Sequence, residues 1–234
     1  MRVFSLVSTR SLARTPAGSP AVDDGRWGQA LAQPAFRRSW LVLALLFVVL
    51  LSLVPGFFLY IQQRPGAVAT DPLLALVPRH DVAVPVFALM YGSVLAAMGW
   101  LTRQPHLFLR GMWGYLVLLV LRMATIWLVP LAPPLDLVPM PDPFLALVFH
   151  TDASEAITKD LFVSGHTSTV VLLALAVRGR WWRGALAVAA LLVGLLVVMQ
   201  RVHYSYDVLA APFFAALAYW VAGFVVRPAA ESHA

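Results

Sequence analysis

Six apolar runs, each long enough to cross a hydrocarbon core of about 30 Å, leave this chain almost no choice of fold. They lie at about 40 to 60, 82 to 101, 111 to 132, 161 to 177, 184 to 200 and 207 to 226. Lipid offers backbone N–H and C=O groups no partners, so such runs pair their own groups as helices. The expectation is an all-α polytopic membrane protein with six transmembrane helices. Only 12% of the residues are charged, against roughly 25% in an ordinary soluble domain. The runs divide the chain into a tail over 1–39, a six-helix transmembrane domain over 40–227 and a second tail over 228–234, with no room for a separate soluble domain.

A net charge of +6 raises the question of nucleic acid, and the distribution of the charge answers it. The basic residues track alternate loops. With both termini cytoplasmic, the inner side holds Arg2, Arg10, Arg14, Arg26, Arg37, Arg38, Arg103, Arg110, Arg178, Arg180, Arg183 and Arg227, whereas the outer side holds Arg64, Arg79, Lys159 and Arg201. This is the positive-inside pattern of a membrane topology, and no nucleic-acid partner is expected. Residues 1–39 are rich in Arg, Ser, Pro and Gly without a continuous apolar stretch, so the reading is a mobile cytoplasmic tail and not a cleavable signal. An organelle transit peptide and a surface-lying stretch from Trp27 to Trp40 are the weaker alternatives. The absence of cysteine removes disulfides, thiolate catalysis and sulfur metal ligands, leaving the chemistry to His, Asp and Ser.

Two short motifs carry that chemistry. Arg201-Val202-His203-Tyr204-Ser205-Tyr206-Asp207 opens the last run. If 203–226 is helical, His203 and Asp207 stand four apart on one face, so the carboxylate reaches the imidazole. A His donating one ring nitrogen to a carboxylate presents the other as a lone pair for attack on phosphorus, proton transfer or metal ligation. Asp160-Leu161-Phe162-Val163-Ser164-Gly165-His166-Thr167 opens the fourth run and supplies a second His. Ser164 and Thr167 suit a helix cap equally well. His166 is an odd choice for a merely structural apolar start.

Other polar residues have two readings each. Asp81 starts the second run, either as an acid favoured by the helix macrodipole or as a site residue. Arg122, read near the middle of the third run, needs a counterpart because an unpaired guanidinium there costs at least about 2.5 kcal/mol. Its counterpart is a buried acid such as Asp207, or an anionic substrate. Thr125 lies one turn on. The Pro-rich loop from Pro133 to Lys159, with apolar Phe144 to Phe149 inside it, reads as a lid on the outer interface, and His150 as a solvated loop residue. Trp181 and Trp182 are interfacial anchors, and Pro212 is expected to kink the sixth helix. Since alternate helices run in opposite directions, Asp81, His166, His203 and Asp207 all fall at the outer end.

These residues resemble the type-2 phosphatidic acid phosphatase superfamily, and more closely its sphingomyelin synthase-related branch, over roughly 70–226. Asp160 with Ser164-Gly165-His166-Thr167 is similar to that branch's first catalytic motif. His203-Tyr204-Ser205-Tyr206-Asp207-Val208 is similar to its second, with Ser205 where Thr is usual. Arg110 and Arg122 have the spacing of its third-helix arginines, and Asp81 resembles the Asp that ends its Pro-Leu-Pro-Asp stretch. The chain departs from the branch at Leu119, Val129, Thr158-Lys159 and Pro212. It also lacks the Lys, Arg-Pro and Ser-Arg elements of the soluble-phosphatase style, with Val163 before Ser164 and Leu196-Val197 ahead of the last motif.

The resemblance implies an integral-membrane lipid phosphotransferase or phosphodiesterase, phospholipase C-like or sphingomyelin synthase-like, working through a phosphohistidine. His203, held by Asp207, attacks phosphorus, and His166 protonates the departing oxygen. Arg122, Arg201, Lys159, Asp160, Ser164 and Asp81 are the substrate-binding residues. Neither a metal nor a cofactor is required. The partners implied are a membrane phospholipid and a lipid-alcohol acceptor, with a homo-oligomer left open, in a bacterial inner (plasma) membrane with the site facing the periplasmic or extracellular side. The few cations near His203 favour a phosphodiester over a phosphomonoester. Three rival readings stand beside this one: a lipid phosphate phosphatase of the same superfamily, a six-helix transporter or channel built on Arg122 and Asp207, and an intramembrane serine protease using Ser164. A zinc site made by the two histidines and an acid is weaker still.

Overall fold

The computed structural model describes residues 27–142 and 157–226. The stretch Phe144 to Phe149, His150 and both outer tails, 1–26 and 227–234, lie outside the described residues. The elements in order are α1 (Trp27–Ala32), α2 (Pro34–Gln63), β1 (Ala67–Val68), α3 (Pro72–Leu76), α4 (Ala83–Leu101), α5 (Pro105–Leu128), β2 (Leu131–Ala132), α6 (Gly165–Ala176), α7 (Arg180–Met199) and α8 (Ser205–Val225). The protein is an all-α membrane protein in which five of these helices, α2, α4, α5, α7 and α8, are long and apolar enough to cross a bilayer.

The fourth apolar run differs from expectation. It forms a helix of only 12 residues, about 18 Å at 1.5 Å per residue, which is short of the hydrocarbon thickness. The run looked longer because Leu161, Phe162 and Val163 are apolar. In the fold these three make a bend in front of the helix, with Leu161 and Val163 buried and Phe162 at φ 87°. Ser164 then starts α6 by accepting from Thr167 N, and an N-cap of this kind fixes where a helix can begin.

The short helix is the hub of the bundle. It packs against α7 and α8 most extensively and against α5 and α4 as well. One apolar cluster gathers Val86, Ala97 and Leu101 of α4 with Val170 and Leu173 of α6 and Val193 and Val197 of α7. A second joins Leu118 of α5, Leu172 of α6 and Ala215 and Ala218 of α8. Small residues on α8 let it approach α5 and α6 closely, as membrane helix pairs require in the absence of a hydrophobic drive between them. α2 stands outside, packed on α5, with 11% of its apolar window buried. Leu41, Leu45, Val48 and Leu59 point outward, which is an apolar solvent's share of the surface.

The N-terminal boundary also moves. The expected tail over 1–39 overlaps helix in the fold: α1 covers Trp27–Ala32 and α2 starts at Pro34. Trp27 packs edge-on against Phe36, Trp40 and Phe108 and donates from Nε1 to Thr102 O. That aromatic nest holds the first helix at the end of the bundle opposite the histidines.

At the histidine end, loops replace helix. β1 and β2 pair in parallel over two residues, Ala67 with Leu131 and Val68 with Ala132. Gly66 is required for this, since an added Cβ would meet Leu131 C at 2.5 Å. His80 N donates to Met199 O and Val138 N to Gln200 O. Together these contacts form a collar around the turn between α7 and α8.

Candidate active site

His203 lies in that turn, one residue ahead of the Tyr204 N-cap of α8. The helix starts at Ser205, not at 203, so the proximity of His203 to Asp207 is a property of the cap. Asp207, in the first turn, folds back so that Oδ2 accepts from Tyr204 N at 3.1 Å and stands 3.0 Å from His203 Nδ1. A carboxylate can only accept, so Nδ1 is the donor, and in the neutral imidazole Nε2 is then the lone pair. Asp207 is fully buried and His203 nearly so, which strengthens the pair by excluding water.

The second motif is joined to the first through the backbone. Ser164 N donates to Asp207 O at 3.1 Å. That bond sets the start of α6 beside the start of α8 and brings the two imidazoles to 6.1 Å between ring centroids, inclined at 69°. Phe87 of α4 lies against His166 at 5.8 Å. Nδ1 of His166 is buried without a hydrogen-bond partner among the described residues, as is Oδ1 of Asp207. Ser164 is the cap of α6, its Oγ also donating to Thr167 Oγ1.

Arg122 belongs to the same cluster, but its partner is not Asp207. Its Nη2 contacts both oxygens of Asp160 at 2.7 and 2.6 Å, and Nε donates to Val163 O at 3.2 Å. It stands in the last two turns of α5, which ends at Leu128, rather than mid-span. Thr125 donates to Arg122 O. The guanidinium lies directly over the first residue of α6: a Cβ on Gly165 would fall 2.5 Å from Arg122 Cζ. His203, Asp160, Arg122 and Asp142 are all within electrostatic reach of His166. The N-terminal end of the α6 dipole adds a partial positive charge there.

Three residues read as substrate-binding are engaged elsewhere. Arg201 Nη1 donates to Leu74 O and Nη2 to Val77 O at 2.7 Å. Its Nε faces Asp136 Oδ2 at 3.2 Å as an ion pair without hydrogen-bond alignment. Lys159 Nζ donates to Gln62 O and Arg64 O. Asp81, one residue ahead of the Val82 N-cap of α4, accepts from Ala83 N and from Gln200 Nε2.

The polar frame holding the site came from residues that the motifs do not contain. Gln200, fully buried, receives Val82 N on Oε1 and donates from Nε2 to Asp81 and Val138 O. Asp71 caps α3 and also accepts from Ser205 N and Oγ. The Asp71-Pro72 pair is a visible helix-start signal, but its contact 134 residues away has none. Among the described residues, no three His, Cys, Asp or Glu side chains gather as a metal-holding group.

Residues 159–224 match the family model described as PAP2 superfamily C-terminal. The matched stretch contains both histidine motifs, and the match supports the PAP2 superfamily that those motifs resemble. No curated protein and no solved structure matches the chain.

Proposed function

We propose that the protein is an integral-membrane lipid phosphotransferase or phosphodiesterase working through a phosphohistidine on His203. The observation that carries this reading is the buried His203–Asp207 pair at 3.0 Å with the His166 ring 6.1 Å away beside Arg122. Two imidazoles at that separation can touch one tetrahedral phosphorus from opposite sides. His203 Nε2 attacks phosphorus, the bond from phosphorus to the glycerol oxygen breaks, and that oxygen takes a proton from His166. Water or a lipid alcohol then gives its proton to His166 and attacks phosphorus, and the bond to Nε2 breaks. Arg122 and the start of α6 offset the charge that develops on the phosphoryl oxygens.

A phosphodiester is the better substrate on electrostatic grounds. Arg201 and Lys159 are committed to backbone carbonyls, and Arg122 already faces Asp160. A phosphomonoester near two negative charges would find little to balance it, whereas a diester brings one. The superfamily match over 159–224 supports phosphatase or phosphotransferase chemistry on a lipid. The charge pattern of the loops supports a sixth crossing completed by α6 with its preceding bend, and a site facing the periplasmic or extracellular side of a bacterial inner membrane.

The test follows the label. Purified protein is incubated with headgroup-labelled phospholipid, with and without ceramide or diacylglycerol, and the products and acid-labile phosphoenzyme are measured. Diacylglycerol release with loss or transfer of the labelled headgroup is expected, and His203→Ala abolishes it while the protein stays folded. Intact diesters together with rapid dephosphorylation of phosphatidic acid would instead identify a lipid phosphate phosphatase.

A further inference from the structure

His203 is the middle residue of a stretch whose neighbours on both sides grip the same small helix. Two residues before it, Arg201 donates to Leu74 O and Val77 O at the C-terminal end of α3. Two residues after it, Ser205 donates from N at 2.6 Å and from Oγ at 2.8 Å to Asp71, the N-cap of α3. The same Asp71 carboxylate accepts from Leu73 N and Leu74 N. Tyr206 Oη donates to Thr70 O, and Tyr204 Oη accepts from Ala69 N and donates to Ala132 O. Every residue from Tyr204 to Tyr206 is thus tied to the segment 69–77 or to the β2 strand paired with it.

We propose that Asp71 is a positioning residue for His203: with Arg201 it makes α3 a bracket that holds the imidazole at its working angle. The proposal rests on His203 being the nucleophile, as set out above. Three features argue for a bracket over an ordinary loop contact. One carboxylate closes the starts of two helices at once, so its four hydrogen bonds lock α3 to α8 and leave neither free to turn alone. The residue at the other end of the bracket, Arg201, holds φ 59°, a left-handed conformation that a non-glycine residue adopts at a cost and keeps when its surroundings insist on it. Asp207 accepts on Oδ2 from His203 and Tyr204, and the N–H of the next residue, Ser205, finds its acceptor in Asp71, so the two carboxylates share the first turn of α8 between them. Without Asp71, the first turn of α8 loses its outer anchor and the imidazole can swing. A displacement of about 1 Å in a reacting group costs on the order of 100-fold in rate.

The experiment uses the full chain in detergent or nanodiscs, with Asp71→Ala, Asp71→Asn and Ser205→Ala beside the wild type. Two readouts are taken, hydrogen exchange at 203–207 and steady-state kinetics on headgroup-labelled phospholipid. For Asp71→Ala, exchange at 203–207 is expected to rise at least about tenfold while α4, α5 and α7 are unchanged, and kcat to fall about 10- to 100-fold with KM within about twofold. Asp71→Asn keeps one acceptor oxygen and should recover part of kcat, and Ser205→Ala, which removes only the Oγ bond, should show a smaller fall in the same direction. A purely structural residue would instead lower the amount of active enzyme at unchanged kcat per folded molecule. Unchanged exchange at 203–207, or raised exchange with kcat intact in an active protein, overturns the bracket. If Asp71→Ala does not fold, Asp71→Asn and Ser205→Ala decide by the same two criteria. A wild type inactive on all phospholipids sinks the proposed function, while the exchange readout still decides whether Asp71 holds the segment.

Discussion

Gly165 shows how much a single missing atom can decide. It opens α6 directly beneath Arg122, and any Cβ there would sit 2.5 Å from the guanidinium carbon. The guanidinium cannot simply swing aside, because Asp160 and Val163 O hold it. Gly165→Ala should therefore push Arg122 out of register with His166 and lower turnover at least about tenfold. Its melting temperature should fall as well, because Asp160 and Val163 O lose their donor, which calorimetry in detergent would check. Asp71 offers a second residue-level expectation. Burial acts to raise its carboxyl pKa, but the hydrogen bonds from Ser205 N and Oγ, Leu74 N and Leu73 N outweigh it and hold the value below the ordinary 3.8. The folded protein then binds this proton less tightly than the unfolded chain, so the stabilisation is full above the ordinary carboxylate value and is lost as pH falls through the lowered one. Melting curves should show the wild type's advantage over Asp71→Asn at neutral pH and its disappearance in that acidic window.

Among the elements, α6 and α3 matter most, and both are short. α6 starts late in its apolar run because Ser164 caps it and Phe162, at φ 87°, turns the chain ahead of it. A bulky residue in that region costs about 1–3 kcal/mol, and the bend is what presents Val163 O to Arg122. α3 is five residues long and has no stability of its own at that length; it exists because Asp71 and Arg201 close its ends. Arg201 was read as a phosphate-binding cation, and its geometry makes the two roles separable. Arg201→Ala should destabilise the fold by about 2 kcal/mol through the stranded carbonyls of Leu74 and Val77. The surviving folded enzyme should show a KM for phospholipid close to the wild type's. A large rise in KM with unaltered melting would restore the phosphate-binding role.

For the whole molecule, the open question is which way the bundle sits. The proposed topology, drawn from the loop charges, has the histidine end outside, and a chain without cysteine makes that easy to test by single substitution. Leu135 and Trp181 are both exposed and lie at opposite ends of the bundle on this reading. In intact cells, a membrane-impermeant thiol reagent should label Leu135→Cys and spare Trp181→Cys until the cells are broken. The reverse pattern would invert the topology and move the site to the cytoplasmic side.

Hydropathy alone announced the class of fold, because a backbone in lipid has few ways to pair its own groups, and helices α2, α4, α5, α7 and α8 fall on the apolar runs. The pairing of His203 with Asp207 was also legible, since four residues is a local distance, although the cap rather than a helix face produces it. Spacing could not show the partners of Arg122, Arg201, Lys159 and Asp81, because each is chosen by whichever carbonyl or carboxylate the fold brings near. Asp160 lies 38 residues from Arg122, and Leu74 lies 127 residues from Arg201. Apolar content likewise overstated α6, where a buried bend and a helix look the same in composition. The two histidine motifs meet where a backbone bond joins Ser164 to Asp207. No sequence pattern encodes that bond; the close packing of α6 against α8 makes it.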